Sequence, residues 1–386
     1  MMKKGFYILS LLLIVAMLSS VALGCQAQEP APVTTTTTTT ATTTATTTAT
    51  TTATKTTTAT ATATVVLPSY TLSVQGAWYP GQNLDVFGRH YEELVNEASG
   101  GRMKFEYHYG EPVPTAEMLT GVGKGTIDLC LAASTYYSGQ LSIADWAFMP
   151  FNFPTMQDMA SFCEDANDIV DAAYMERTNV KCLWYPFTSV GYGFSVSKKR
   201  AKVTKYEDLQ GMIVGAPGGG AVIGVDLTGA KSPGTVYGEI YDLLQKGTLD
   251  ARILPGWCME VMKMWEVCHQ QVYPGLLNAT TDIFWVNLDV WNSLDPEMQE
   301  IMNSVGRTDE FYNFMIDYLE EEETRIMKRA TEEFGVEEFH FSDADMAKMK
   351  ADVDEPVWQW YMDAAAKQGL ASQGKTLRGM IAELWK

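Results

Sequence analysis

The stretch GAKSPGTVYGEIYDLLQKGTLDARIL, Gly229–Leu254, decides the fold. Gly229-Ala230 and Pro233 frame a short strand. From Thr235 to Lys246 the apolar residues Val236, Ile240, Leu243 and Leu244 fall on one helical face, and Gly247 ends the helix. Leu249–Leu254 then predicts a buried strand. Strand, helix and strand in sequence argue for a mostly parallel, doubly wound α/β sheet. Working outward, Gly193–Val196 and Met212–Gly215 read as strands around a short helical turn at Tyr206–Gly211, and Asp282–Leu288 reads as a further strand. A second series lies nearer the N-terminus. Tyr70, Leu72 and Val74 alternate as a half-buried strand closed by the Trp78-Tyr79-Pro80-Gly81 turn. Phe87, Tyr91, Leu94, Val95 and Ala98 form a helical face stopped by Gly100-Gly101. Met103–Tyr109 alternates again, a helix follows through Met118, Leu119 and Val122, and Thr126–Ala132 reads as a buried strand.

Two such series describe two α/β lobes. Asp295 and Pro296 open a long helical pattern that runs through Met298, Tyr312 and Ile326 to Phe334. With Gly306 a local weak point and Gly335 the stop, this predicts a helix of close to 40 residues, about 60 Å long at the usual rise. Such a helix overruns one lobe and bridges two.

The chain has 386 residues, 47 acidic against 28 basic, and a net charge of −19. No basic cluster interrupts that balance, which argues against nucleic acid as a partner. Lys3 and Lys4, the apolar run Phe6–Met17 and the small residues before Cys25 have the three parts of an export signal. Ala22-Leu23-Gly24-Cys25 looks like a lipobox, with Ala22 where Leu is usual; the alternative is an ordinary secretory signal with a chance Cys. Residues 1–25 are therefore read as a lipoprotein signal ending in a lipidated Cys25. Residues 26–66, mostly Thr and Ala, have nothing large to bury and read as a disordered tether. The five later cysteines show neither a disulfide framework nor a zinc spacing; Cys258 and Cys268 are either a pair or buried free thiols.

Several motifs carry a resemblance. Glu117-Met118 is followed by Gly121, Gly125, Ile127 and Asp128, and Met149-Pro150-Phe151 comes next. Glu207-Asp208-Leu209-Gln210-Gly211 forms a turn before a strand. The opening stretch supplies Gly229-Ala230, Pro233, Glu239-Ile240-Tyr241, Leu244-Gln245-Lys246-Gly247 and Leu249-Asp250. Asn287 with Trp291-Asn292-Ser293-Leu294 and Pro296 completes the set. Together they resemble the solute-binding subunits of TRAP (tripartite ATP-independent periplasmic) transporters, related to C4-dicarboxylate-binding proteins, over about Ser69–Leu384. The resemblance implies a two-lobed, periplasmic-binding-protein-like fold with a ligand cleft. The lobes would comprise residues 67–191 with 280–325 and 192–279 with 326–386. It implies an Arg on the strand after the Asp-Leu-x-Gly turn, and often a second in Gly-x-Arg. Here Gly215 and Gly193 stand at those positions, so a simple dicarboxylate is not the expected ligand.

Candidate ligand-binding residues are Trp78, Tyr79, Tyr136, Tyr192, Gly215, Arg252 and Trp257. The aromatics sit near strand ends, where open α/β folds bind ligands, although core packing is the alternative for each. Arg252 is placed to supply the cation that Gly193 and Gly215 lack; a surface ion pair is the alternative. Lys231 and Glu111 are weaker candidates. Gly215 and Gly218-Gly219-Gly220 suggest room for a bulkier ligand. No metal or cofactor motif is present, and neither a nucleophile elbow nor a paired His and carboxylate points to catalysis. The expected protein is no enzyme. It is an extracytoplasmic, lipid-anchored component that captures a small organic solute, an aromatic or extended acid or a neutral polar molecule, for TRAP permease subunits. A ligand sensor for a receptor or an extracytoplasmic enzyme are the alternatives.

Overall fold

The computed structural model describes residues 67–386 apart from Glu111 and Val190, together with the backbone of an antiparallel pair, Thr34–Thr35 with Val65–Val66. Cys25 and most of the Thr/Ala tract lie outside the described residues, as does Glu111. The chain divides into residues 1–69 and a compact body, Tyr70–Lys386.

The body holds two five-stranded sheets. In the first the order is Met103–Tyr109, Tyr70–Gly76, Leu129–Ala132, Ile283–Asn287 and Val180–Trp184. All run parallel except Ile283–Asn287, which is antiparallel to both neighbours. In the second the order is Glu337–His340, Cys268–Tyr273, Gly193–Ser197, Ala251–Leu254 and Val214–Gly215. Here Gly193–Ser197 is the antiparallel strand. Each sheet thus receives one reversed strand from the other half of the body. The chain passes between the sheets three times: two strand crossings pair as Phe187–Ser189 with Thr280–Thr281, and a third passage runs through helix Asp309–Phe334 to Glu337–His340. The mostly parallel sheet expected from the strand–helix alternation is present in both lobes, with this one exception each.

Local sequence explains most elements. Helix Asn83–Ser99 buries Leu84, Phe87, Tyr91 and Val95 at helical spacing, each burial contributing about 1.5–3 kcal/mol. It stops at Gly100, whose φ of 68° few side chains tolerate. In the first sheet Ile283, Phe284, Trp285 and Val286 are all buried, as a central strand covered on both faces requires.

Three expectations need correction. The predicted 40-residue helix is two helices, Pro296–Ser304 and Asp309–Phe334, separated by a 3-10 turn at Val305–Arg307. Gly306 packs against buried Trp184, where an added Cβ would come within 2.7 Å of the indole Cγ. Thr308 then caps the second helix by accepting from the Phe311 N–H at 3.1 Å. The Thr235–Lys246 helix starts late, as a 3-10 turn at Tyr237–Glu239 and a helix at Ile240–Lys246. Thr235 instead pairs with Ala216 through its N–H. The expected alternation also misses Met156–Thr178, a helix of 23 residues. Its inward face carries Asn167 and Asp171, which blur the apolar period. They are satisfied there by the Tyr185 hydroxyl and the Cys182 N–H.

Helix Asp343–Lys367 packs on Gly219–Leu227 and on Ala371–Glu383, which in turn packs on Met156–Thr178. The C-terminal helices therefore touch elements attached to both sheets. The cysteines Cys130, Cys163, Cys182, Cys258 and Cys268 are all buried and free. Among the described residues, no helix is long and apolar enough to cross a membrane.

Candidate functional site

The ends of strands from both sheets enclose a cavity of about 50 Å³. Trp78 follows the first strand, Tyr136 lies in the turn after Leu129–Ala132, and Asp282 immediately precedes Ile283–Asn287. From the second lobe come Arg252 on its strand and Trp257 just beyond it. Tyr192, at a crossing, and Tyr237 complete the wall. Five of the candidates read from sequence are thus brought together: Trp78, Tyr136, Tyr192, Arg252 and Trp257. Tyr79 is not; it is 54% exposed and outside the lining. Lys231 is exposed and outside the lining, bridged to Ile213. A wider, open depression of about 770 Å³ lies beyond Tyr192, bordered by Tyr273, Glu323 and His340. The small cavity is the less open of the two, and the buried Arg252 and Asp282 line it.

Arg252 is 3% exposed, and burial pulls its guanidinium pKa below the usual value. Its Nε donates to Thr235 Oγ1 at 2.8 Å, Nη1 to the Ile253 carbonyl and Nη2 to the Thr235 carbonyl at 3.4 Å. An arginine has five N–H donors, so one remains on each terminal nitrogen. A guanidinium with a free N–H on each terminal nitrogen has the donors that a carboxylate takes in a two-bond fork. Arg252 is in no ion pair with an acidic side chain among the described residues, which is costly for a buried cation unless a ligand supplies the anion.

Gly215 is not in the lining. It is the register partner of Arg252 on the neighbouring parallel strand. A Cβ at Gly215 would meet Arg252 Cδ at 2.6 Å. The space beside this glycine is therefore filled by the Arg252 side chain and is not extra room. Gly193 repeats the arrangement: its missing Cβ would lie 2.5 Å from Gln271 Nε2. Gln271 is fixed there by donating to the Leu254 carbonyl at 2.9 Å and accepting from Ser195 Oγ. Gly218-Gly219-Gly220 likewise leaves no void. Added Cβ atoms would strike the Thr135 carbonyl at 2.6 Å, Ser138 Oγ at 2.6 Å and Met149 Sδ at 2.1 Å. These glycines let the Gly219–Leu227 helix seat closely on residues 135–149.

Trp257 is held from two sides. Its indole Nε1 donates to the Thr188 carbonyl at 2.9 Å, on the crossing strand. Its backbone N–H and that of Gly256 donate to the two Glu323 carboxylate oxygens, each at 2.8 Å. Glu323 projects from the Asp309–Phe334 helix and also accepts from the Tyr273 hydroxyl at 2.7 Å. Gly256 permits this approach, since a Cβ there would fall 2.4 Å from Glu323 Oε1.

Sequence reasoning missed Asp282, Tyr237 and Glu323. Asp282 is 1% exposed, and neither carboxyl oxygen has a hydrogen-bond partner among the described residues. Burial drives its pKa well above the usual carboxylate range, and the same holds for Asp145. A carboxyl with a raised folded pKa binds more protons in the folded than in the unfolded state between the two pKa values. Stability contributed by this group is therefore present at low pH and falls as pH rises from the ordinary carboxylate pKa through the folded one. In the ligand-free protein, Asp282→Asn is expected to flatten that decline, measured as unfolding free energy from pH 4 upward relative to the parent. A parallel pair of profiles would contradict it.

A two-lobed body with an enclosed, charged cavity at the strand ends between its sheets defines a ligand-capture protein. Residues 82–364 match the DctP family, described as bacterial extracellular solute-binding protein, family 7, and the chain belongs to that family. The monocarboxylate 2-oxoacid-binding periplasmic protein of Nostoc sp. strain PCC 7120 is 28% identical over 247 residues, 62% of this chain. The chain spans 65% of that relative's length. Among solved structures, a TRAP periplasmic solute-binding protein from Desulfovibrio salexigens with bound orotic acid has a TM-score of 0.70 and 20% identity. The match covers 82% of this chain and 100% of that one. A marine metagenome TRAP protein in complex with pyroglutamate also reaches 0.70, at 17% identity, covering 82% and 100%. One from Rhodoferax ferrireducens with bound malonate reaches 0.70 at 18% identity, covering 81% and 98%. At these identities the likeness is one of fold.

Proposed function

We propose that this chain captures a small organic carboxylate outside the cytoplasm by closing its two lobes and delivers it to a TRAP-type membrane permease, without chemical turnover. The observation that carries this reading is Arg252, a buried cation that lines the cavity and keeps two N–H groups unused among the described residues. Trp78, Tyr136, Tyr192 and Trp257 wall the ligand, while Gly215 acts indirectly by making space for Arg252. Closure is driven by contacts to both lobes, which only a ligand between them provides. We assign the lobes to residues 67–191 with 280–325 and 192–279 with 326–386. Lipid attachment at Cys25 and a tether over residues 26–66 would hold the body at the membrane surface. Family membership and the organic acids bound by the neighbouring structures support the reading.

A thermal-shift screen of small organic acids against neutral sugars and amides tests it. At least one acid is expected to raise the midpoint with saturating dependence; ligand at 100 times its dissociation constant adds about 2.7 kcal/mol. Stabilisation by neutral solutes alone, or by none, would defeat the proposal.

A further inference from the structure

The reading above leaves Asp282 without a role. It lines the same cavity as Arg252, but from the other sheet. Its backbone N–H is satisfied by the Pro186 carbonyl at 2.9 Å, whereas both side-chain oxygens are bare among the described residues. Arg252 does not serve it, because the guanidinium bonds are to Thr235 and Ile253. The titratable groups within electrostatic reach of Asp282 include the hydroxyls of Tyr136, Tyr137 and Tyr192, none a cation. A buried carboxyl in such a place is either kept neutral or matched by charge from outside the chain.

We propose that the cavity is built for a small zwitterion, whose carboxylate takes the Arg252 fork and whose ammonium takes Asp282. This rests on the proposed capture of a carboxylate at Arg252 and names its substrate class. Three features favour a ligand ammonium over a protonated Asp282. The cavity wall carries Trp78, Tyr136, Tyr192 and Trp257, residue types whose rings attract cations. A protonated carboxyl has one donor, leaving its second oxygen still unpaired, whereas an ammonium has three donors to share between both. The Tyr136 hydroxyl is within electrostatic reach of both Arg252 and Asp282, so both charges act on the same part of the cavity. The cavity is small, about 50 Å³, which favours short aliphatic amino acids and their N-methylated forms over larger zwitterions. A zwitterion also ties one charge to each lobe, which makes closure specific to ligands carrying both.

The test is calorimetric titration of the ligand-free protein with glycine, L-alanine and N-methylglycine, set against L-lactate and pyruvate. Lactate and pyruvate keep the alanine frame but replace the ammonium with hydroxyl or oxo. At least one amino acid is expected to bind tenfold or more tightly than both. Asp282→Asn should weaken that amino acid at least 30-fold and change any lactate or pyruvate binding less than threefold. Arg252→Gln should weaken every ligand. Tighter binding of lactate or pyruvate by the unmutated protein overturns the zwitterion and leaves carboxylate capture standing. So does an Asp282→Asn variant that keeps its amino-acid affinity within threefold. The comparison in the unmutated protein needs no variant to fold. Binding by none of the five, with acids of other sizes stabilising the protein in the screen, also rejects the zwitterion alone. No binding by any acid rejects both readings.

Discussion

Replacing Arg252 with glutamine is expected to lower carboxylate affinity by about 100-fold or more. Two charge-assisted hydrogen bonds are lost, each worth about 1.5–3 kcal/mol, and every 1.4 kcal/mol is a factor of ten. Fold stability should fall modestly, because the Thr235 and Ile253 acceptors lose donors while a buried cation without an ion pair is also removed. Arg252→Lys should restore only a small part of the affinity. A single ammonium cannot donate along two parallel directions, and Lys would lose the Nε bond to Thr235. Calorimetry with the best acid from the screen decides this. Unaltered affinity in Arg252→Gln would remove Arg252 from the site.

Glu323→Ala is the second large effect. It strips three donors of their acceptor at once, the N–H groups of Gly256 and Trp257 and the Tyr273 hydroxyl. Leaving buried donors unpaired costs about 1–3 kcal/mol each, so a stability loss of about 3 kcal/mol is expected after water enters from the open depression. Ligand affinity should fall as well, because the turn that presents Trp257 to the cavity is released. Glu323→Gln should lie between, since the amide keeps one acceptor oxygen. Denaturant unfolding and ligand titration measure the two effects separately. A stable Glu323→Ala variant with full affinity would show that the turn holds itself.

The lobes and much of the cavity were legible in local pattern. Arg252 stood out as a cation just beyond Leu249-Asp250 that could replace the Arg missing at positions 193 and 215. Trp78 and Trp257 were legible because strand ends face the cleft. Asp282 was not, although a lone Asp ahead of Ile283-Phe284-Trp285-Val286 was a readable signal: a charge heading a fully buried strand needs a reason. Glu323 was hidden among the acidic residues of its helix, where the neighbours Glu320, Glu321 and Glu322 carry the same charge. Only the crossing geometry picks out the one that meets Gly256. The helix break had a visible cause in Thr308-Asp309-Glu310, a start signature inside an apparently continuous period.

The Gly215–Arg252 pair has a consequence for comparing relatives. Two facing positions on adjacent strands compete for one volume, so a bulky cation at one excludes it at the other. Gly215→Arg in this chain should therefore be tolerated only together with a small residue at 252, and the two substitutions should compensate. On the proposed role of Arg252, the binding charge of this chain occupies the space that the resemblance assigns to an Arg at position 215. A glycine where a cation is expected is then a direction to look one strand over.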